Sequence, residues 1–234
     1  MKKIIIDGNS LTLDDLVNVA RYNFPVEISK EALENVKVSR QIVDDIVEAE
    51  QISYGITTGF GKFSDVAISK DECRQLQKNL IMSHSCGVGN PLSEEIVRAM
   101  MLLRANALSK GYSGIRCETL DVLISMLNKG VHPIVPEKGS LGSSGDLAPL
   151  SHMVLTMLGL GEAIYNGVKM ESKDAMEKAG IKPLEYLGAK EGLALINGTQ
   201  CMTAVGAITI YDAMNLMKTA DISLCLTMEA LNGI

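Results

Sequence analysis

The feature that most limits how this chain can fold is a long apolar run between residues 197 and 231. Methionine, alanine, isoleucine and leucine occur on more than one face of the helix that this run predicts, which is the pattern of a helix buried on all sides. Such a helix needs neighbouring helices to cover it. Aromatic residues make up only 4% of the chain and methionine occurs 13 times, so packed helices are favoured over a β-sandwich. We therefore expect an all-α fold dominated by long helices, with little β structure.

Composition and charge exclude several classes of protein. The net charge of −6 is spread along the chain without a block of lysine and arginine, which argues against nucleic acid or an anionic membrane surface as the partner. Composition and charge do not exclude a small polar molecule as the ligand. The five cysteines form no CxxC pair, so neither a disulfide framework nor a cysteine-based zinc site is expected. We expect a reducing, cytoplasmic location, with no signal peptide and no membrane span.

Helical spacing of apolar residues recurs in blocks separated by glycine, proline and serine. The N-terminal residues Lys3 to Ile6 favour a short β-strand. Shorter helices are predicted from Ser69 to about Ser83, from Ser93 to Gly111, from about Arg116 to Gly130 and from Leu147 to Leu160. Glycine-rich stretches interrupt the helices at residues 54–61, 85–89 and 139–145.

The first glycine-rich stretch does not form a phosphate-binding loop. A Walker A motif needs glycine where the chain has Ile56, and serine or threonine where it has Phe63. On local evidence alone this stretch is a turn-rich surface loop.

The stretch from Gly139 to Asp146 has an unusual chemical possibility. Asp146 is a candidate N-cap of the helix that follows, and taken alone the stretch is structural. Its glycines nevertheless permit a close backbone approach in which the Gly145 nitrogen meets the carbonyl carbon of Ser143. Loss of water from that ring and from Ser144 would leave an exocyclic methylidene, an electrophile that no ordinary side chain supplies.

The histidines do not predict a metal site. His84, His132 and His152 are the only histidines, and none has a second ligand at the spacing of a known metal motif. Locally, His84 is more typical of a core residue than of a ligand-binding one. On local evidence Asn197, at the start of the long helix, is likewise interpreted as a structural residue.

Four stretches in this order resemble the aromatic amino acid ammonia-lyase family, and together they span essentially the whole chain. They are Tyr54 to Gly61, Asn79 to His84 with Gly87 to Gly89, Gly139 to Leu150, and Glu191 to Gln200. The resemblance implies a long-helix bundle with glycine-rich active-site loops.

The resemblance also implies a cofactor, 4-methylidene-imidazol-5-one (MIO), which such proteins form from three of their own residues. Here the tripeptide is Ser143-Ser144-Gly145, and Ser144 would become the dehydroalanine. The family usually has alanine where this chain has Ser143, which adds a hydroxyl but leaves the reacting groups unchanged. Asp146 matches the family's acid after the tripeptide, thought to assist cyclisation.

Further site residues follow from the same resemblance. Tyr54 matches the loop tyrosine that acts as catalytic base. Asn197 and Gly142 match positions that contact the cofactor, and Asn197 and His84 match positions of the substrate pocket. No metal is implied.

The expected reaction is deamination of L-histidine to urocanate and ammonia. His84 with Gly87 to Gly89, together with residues 189–195, is more similar to the histidine-specific members than to the tyrosine-specific ones. A tyrosine ammonia-lyase or aminomutase is the alternative within the family. A non-catalytic helical scaffold is the alternative from another class of function. Ser143, where the family usually has alanine, is the observation that favours it.

Residues 1–234 are expected to be the N-terminal, MIO-containing part of such an enzyme, truncated within the central helical core. The partner tyrosine and the arginine that binds the substrate carboxylate would lie beyond Ile234, so this part alone is expected to be inactive. Family members are mostly homotetramers, which makes a homo-oligomer the expected assembly.

Overall fold

The computed structural model describes residues 3–53, 55–58, 70–141 and 145–233. Its helices are α1 (Leu13–Tyr22), α2 (Lys30–Glu48), α3 (Lys70–His84), α4 (Glu94–Leu108), α5 (Cys117–Lys129), α6 (Leu147–Met157), α7 (Ser172–Lys178), α8 (Glu191–Ile196) and α9 (Gln200–Ala230). Its strands are β1 (Ile4–Ile6), β2 (Val26–Ile28), β3 (Val88–Pro91), β4 (Val131–Pro133), β5 (Pro136–Lys138), β6 (Glu162–Tyr165) and β7 (Val168–Glu171). Helices contain 58% of the residues and strands 12%, so the predicted mainly helical fold is confirmed.

Helix α4 lies at the centre of the core. It packs against α1 on one side and against α5 and α9 on others, so that Met100, Met101 and Ala105 are completely buried. Unbranched methionine side chains can fill the irregular spaces where these helices meet. The many methionines of this aromatic-poor chain therefore contribute to the packing between helices, as the composition predicts.

The short strands join loops rather than building a layer of their own. Strand β1 pairs in parallel with β2, and β4, β6 and β7 form an antiparallel sheet. Strand β3 pairs antiparallel with β5, which places Val88 opposite Lys138. This last pairing brings the second and third glycine-rich stretches side by side.

The predicted shorter helices are present, with small differences at their ends. Helix α5 is followed by Gly130 at a φ of 73°, the left-handed cap that the sequence predicts. Helix α4 ends before the predicted Gly111, and Ser93 occupies its N-cap position without a side-chain hydrogen bond. Helix α6 ends three residues before the predicted Leu160. The Ser69 capping box lies outside the described residues.

Neighbouring helices bury less of α9 than the sequence predicts. It begins at Gln200, and Cys201, Ala204 and Ile208 are its buried residues. Within the described part of the chain the helix is not buried on all sides, because α1, α4 and α6 pack against its N-terminal part, as far as Asp212, and the further neighbours that its pattern requires are absent from the described residues. The remainder exposes large apolar side chains: Ile210, Met214, Leu216, Met217, Ile222, Leu224 and Leu226.

The segment from Glu191 to Ala230 is long and apolar enough to cross a membrane, by length and composition alone. Asp212 lies within it and accepts two hydrogen bonds from the Arg21 guanidinium, at 2.6 and 2.7 Å. An aspartate within a membrane-spanning helix is unfavourable, and core helices of soluble proteins have the same length and composition.

A buried arginine on α4 gives a test of the core. The Arg98 side chain donates from Nε and Nη2 to the Val19 carbonyl, at 3.1 and 2.8 Å, and from Nη1 to the Leu127 carbonyl, at 3.0 Å. We expect Arg98→Met to lower the free energy of unfolding by about 2–4 kcal/mol, because two buried carbonyls lose their donors. Denaturant unfolding measures this. Lys37→Met, which breaks an exposed pair with Glu34, is the control and should change the free energy of unfolding little. Equal losses in the two variants would contradict the expectation.

Candidate functional site

Asp146 connects the loop before α6 to the start of α9. It occupies the N-cap position of α6, as predicted, but its side chain makes no capping bond to that helix. The carboxylate instead accepts hydrogen bonds from the Met202 backbone N–H at 2.9 Å and from Ser140 Oγ at 2.7 Å. Met202 belongs to the first turn of α9, where a negative charge is favourable because the unpaired N–H groups point towards it. Asp146 is therefore a cap, but of α9.

The same negative charge acts on a neighbouring thiol. Burial, and then the charge of Asp146, raise the pKa of Cys201 to about 11. The thiol is protonated at neutral pH, so Cys201 is a packing residue rather than a nucleophile.

Gly145 meets Gly198 in a contact that only glycine permits. Its φ is +105°, and a Cβ at this position would lie 2.7 Å from the Gly198 carbonyl oxygen. That carbonyl accepts a hydrogen bond from the Asp146 backbone N–H at 2.7 Å. Gly145, the last residue of the third glycine-rich stretch, is thus held against the turn between α8 and α9.

A second close contact joins Gly139 to the second glycine-rich stretch. A Cβ at Gly139, where φ is +147°, would lie 2.9 Å from the Gly87 Cα. The Gly87 N–H donates to His152 Nε2 at 3.1 Å, so this histidine carries its proton on Nδ1. Burial lowers the pKa of His152, which keeps the ring neutral and the bond intact at neutral pH. His152 is therefore a structural histidine of the loop cluster.

His84 lies at the C-terminal end of α3 and is half-buried. Its Nδ1 lies 2.8 Å from the Leu80 carbonyl oxygen and 3.1 Å from Ser83 Oγ. A carbonyl oxygen can only accept, so Nδ1 carries the proton of the neutral ring and Nε2 presents a lone pair. No donor to Nε2 is found among the described residues.

Asn197 lies in the turn between α8 and α9. Its backbone N–H donates to the Leu193 carbonyl at 2.9 Å, and the residue is exposed. Asn197 directly precedes Gly198, whose carbonyl meets Gly145.

Four of the predicted site residues, Tyr54, Gly142, Ser143 and Ser144, lie outside the described residues. Of the stretch around Tyr54, residues 55–58 are described, and the Ile56 carbonyl accepts from Cys73 Sγ of α3 at 3.4 Å. The expected meeting of this loop with the tripeptide loop stays a prediction.

Three buried polar residues brace the site and were missed by sequence reasoning. Glu191, completely buried, accepts from the Arg116 backbone N–H, Arg116 Nε, Thr119 Oγ1 and the Gly188 N–H. Gln77 of α3 accepts from the Gly192 N–H at 2.8 Å. Arg104 of α4 donates to Gln200 Oε1 at 2.9 Å. In the sequence, the signal for such residues is a charged or amide side chain within an apolar helical face. That pattern is too common to identify bracing residues.

The last residue of the tripeptide and the residue after it fit a group made by backbone cyclisation. Cyclisation needs a compressed backbone, and strained backbone persists only where the surroundings over-determine it. Here Gly145 has a left-handed conformation, its Cβ position is filled by another peptide, and the next residue is pinned by both its N–H and its carboxylate. No cluster of three potential metal ligands occurs in the described part of the chain.

Comparison with known proteins gives consistent similarities. The model of the family described as aromatic amino acid lyase matches residues 11–234. The histidine ammonia-lyase of Alkaliphilus oremlandii is 65% identical over 234 residues, which are all of this chain and 46% of that protein. The chain therefore spans about half the length of the curated relatives that it matches.

Solved structures share the fold. The histidine ammonia-lyase of Trypanosoma cruzi superimposes with a TM-score of 0.92 at 41% identity, over all of this chain and 45% of that one. The tyrosine aminomutase of Streptomyces globisporus gives 0.90 at 38% identity, over 98% of this chain and 43% of that one. Backbone similarity alone thus does not separate these two reactions.

The contact between Gly145 and Gly198 can be tested by adding a single methyl group. We expect Gly145→Ala to lower the free energy of unfolding by about 3 kcal/mol or more, because a left-handed backbone costs about 1–2 kcal/mol and the new Cβ overlaps a carbonyl oxygen. Gly167→Ala is the matched control, since Gly167 also has a positive φ, +76°, but has no atom within 4 Å of its Cβ position. It should cost only the backbone strain. Equal losses in denaturant unfolding would show that the contact is not tight.

Proposed function

Because the chain belongs to the aromatic amino acid lyase family, we propose that it is the N-terminal, cofactor-forming part of an enzyme that deaminates L-histidine to urocanate and ammonia. The observation that carries the proposal is the 65% identity over the whole chain to a histidine ammonia-lyase, together with the orientation of His84. The enzyme class is carbon–nitrogen lyase, and the pathway context is histidine catabolism.

The proposed cofactor is MIO, made from Ser143-Ser144-Gly145. The Gly145 nitrogen bonds to the carbonyl carbon of Ser143, and that carbonyl oxygen leaves as water with the hydrogens of the Gly145 and Ser144 nitrogens. A second water takes the Ser144 hydroxyl and the Ser144 α-hydrogen. Once formed, the group supplies an electrophilic carbon that ordinary side chains lack. The contacts of Gly145 and Asp146 support this proposal because they restrict the backbone where the ring must close.

The chain's own residues then have distinct roles. Asp146 fixes the backbone after the tripeptide through its bonds to Met202 and Ser140. Asn197 and Gly142 are proposed to contact the cofactor, and Asn197 also the substrate. Tyr54 is proposed as the base that removes a proton from the substrate's β-carbon.

His84 is proposed to recognise the substrate's side chain. With its proton on Nδ1 committed to the Leu80 carbonyl, Nε2 can accept a hydrogen bond from an N–H of the substrate imidazole. A site built to accept such a bond rejects an analogue that lacks the donor.

A tyrosine ammonia-lyase or aminomutase is the second candidate, because a phenol hydroxyl could also donate to His84 Nε2. The structural similarity to tyrosine aminomutase favours it, whereas the higher sequence identity to histidine ammonia-lyase favours histidine. Turnover of histidine, tyrosine and phenylalanine by the complete protein separates the two.

The complete enzyme is proposed to be a cytoplasmic homotetramer, in which the exposed apolar part of α9 is covered by protein. Large contiguous apolar surface on a soluble protein marks an interaction site. The 234 residues alone are proposed to be inactive, since the carboxylate-binding arginine and partner tyrosine implied by the family lie elsewhere.

The cofactor proposal is tested by Ser144→Ala in the complete protein. We expect turnover of histidine to fall by several orders of magnitude, because alanine has no hydroxyl to lose and the electrophile cannot form. The peptide spanning residues 139–150 should then not show the loss of two waters in its mass, because the second water comes from the Ser144 hydroxyl. Ser143→Ala is the matched control, since it removes a neighbouring hydroxyl that does not react, and it should mature and stay active. Near-normal turnover in Ser144→Ala would refute the cofactor, and an unmatured wild-type peptide would favour the non-catalytic scaffold.

The role of His84 is tested by His84→Phe. Turnover of histidine should fall by about tenfold or more and the ratio of phenylalanine to histidine turnover should rise, because the acceptor at Nε2 is lost. Steady-state kinetics with both substrates measure this. Lys78→Ala, at an exposed position of the same helix, is the control and should leave the kinetics with both substrates unchanged. Unchanged kinetics in His84→Phe would return this residue to a packing role.

A further inference from the structure

Arg104 is a buried cation on α4 with an incomplete set of partners. It is only 5% exposed. Its Nη1 donates to Gln200 Oε1 at 2.9 Å, its Nη2 donates to the Ala194 carbonyl, and its Nε is buried with no partner among the described residues. Burial alone lowers the pKa of Arg104, to about 10, so the side chain is still charged at neutral pH.

The two acceptors lie on either side of one turn. Ala194 belongs to α8 and Gln200 is the first residue of α9, and the turn between the two helices contains Asn197 and Gly198. A Cβ at Gly198 would overlap both the Arg104 guanidinium and the Gln200 amide. The guanidinium therefore spans the turn and packs directly against Gly198.

Gly145 and Asp146 lie against the other side of this turn. The Gly198 carbonyl accepts from the Asp146 N–H and fills the space where Gly145 would carry a Cβ. A displacement of Gly198 would be transmitted to Gly145 because no flexible side chain lies between the two backbones.

Stability alone is a weak explanation for an arginine at this position. A buried charge without a carboxylate partner costs free energy, and replacement of buried ionic groups by apolar ones is often neutral or stabilising. Arg98, on the same helix, shows how a structural arginine is held: Nε, Nη1 and Nη2 all donate to carbonyls of α1 and α5. Arg104 lacks that complete satisfaction.

We propose that Arg104 is a positioning residue for cofactor formation, which holds the Asn197–Gly198 turn at the place where Gly145 can close the ring onto Ser143. The inference rests on the proposed function, since it assumes that the tripeptide cyclises. Arg104 acts through Gly198 and does not touch the substrate.

The test measures cyclisation independently of activity. Wild type, Arg104→Met and Arg104→Lys are produced as the complete protein, and only soluble material with native circular dichroism is digested. The readout is the rate at which the 139–150 peptide loses two waters. We expect about tenfold slower maturation or more in Arg104→Met, because small misplacements of reacting groups have large effects on rate. Arg104→Lys, which keeps the charge but cannot span both acceptors, should be severalfold slower than wild type.

Arg98→Met is the matched control. It removes a buried arginine from the same helix and lowers stability, but its partners are on α1 and α5 rather than at the turn. Its folded fraction should mature at the wild-type rate. Equal slowing in Arg98→Met and Arg104→Met would show that general destabilisation is the cause and would overturn the proposal.

The remaining outcomes also test the proposal or the function on which it rests. Maturation of Arg104→Met at the wild-type rate overturns the proposal. If Arg104→Met does not fold, maturation of Arg104→Lys at the wild-type rate overturns it instead. Failure of the wild-type peptide to lose water would instead refute the proposed function, so the two failures are distinguishable.

Discussion

The rest of the site depends on the contact between Gly145 and Gly198. A Cβ at Gly145 would overlap the Gly198 carbonyl oxygen, so the two backbones can approach this closely only with glycine at position 145, and the hydrogen bond from the Asp146 N–H to the Gly198 carbonyl then fixes their separation. The Asp146 carboxylate adds a bond to the first turn of α9, so the loop, the turn and the longest helix share one junction. Displacement of any of the three would move the other two.

Buried polar side chains hold this junction from behind. Glu191 satisfies its two carboxylate oxygens with donors from four groups, and Arg104 spans the turn that faces Gly145. The satisfied network around Glu191 specifies one arrangement of the surrounding helices, because each alternative packing would leave a buried polar group without a partner. The core provides the stability, whereas these groups determine where the loops lie.

Much of the fold could be predicted because periodicity and caps are local properties. The capped end of α5 at Gly130 follows from the glycine itself, and the extent of α3 from its apolar spacing. The coverage of α9 could not be predicted in this way. An apolar helix indicates that neighbours exist but not which part of the molecule supplies them, and among the described residues they reach only its N-terminal part.

The sequence by itself determined the helical class of the fold, the order of the glycine-rich stretches and the resemblance to the lyase family, because each depends on residue types at short separations. Only the tertiary structure decided that Asp146 caps α9 instead of its own helix, and that Gly139 and Gly145 each meet a glycine from a distant part of the chain. These are contacts between residues up to 56 positions apart, as for Asp146 and Met202. Their partners are selected by how whole helices pack, which no local pattern specifies.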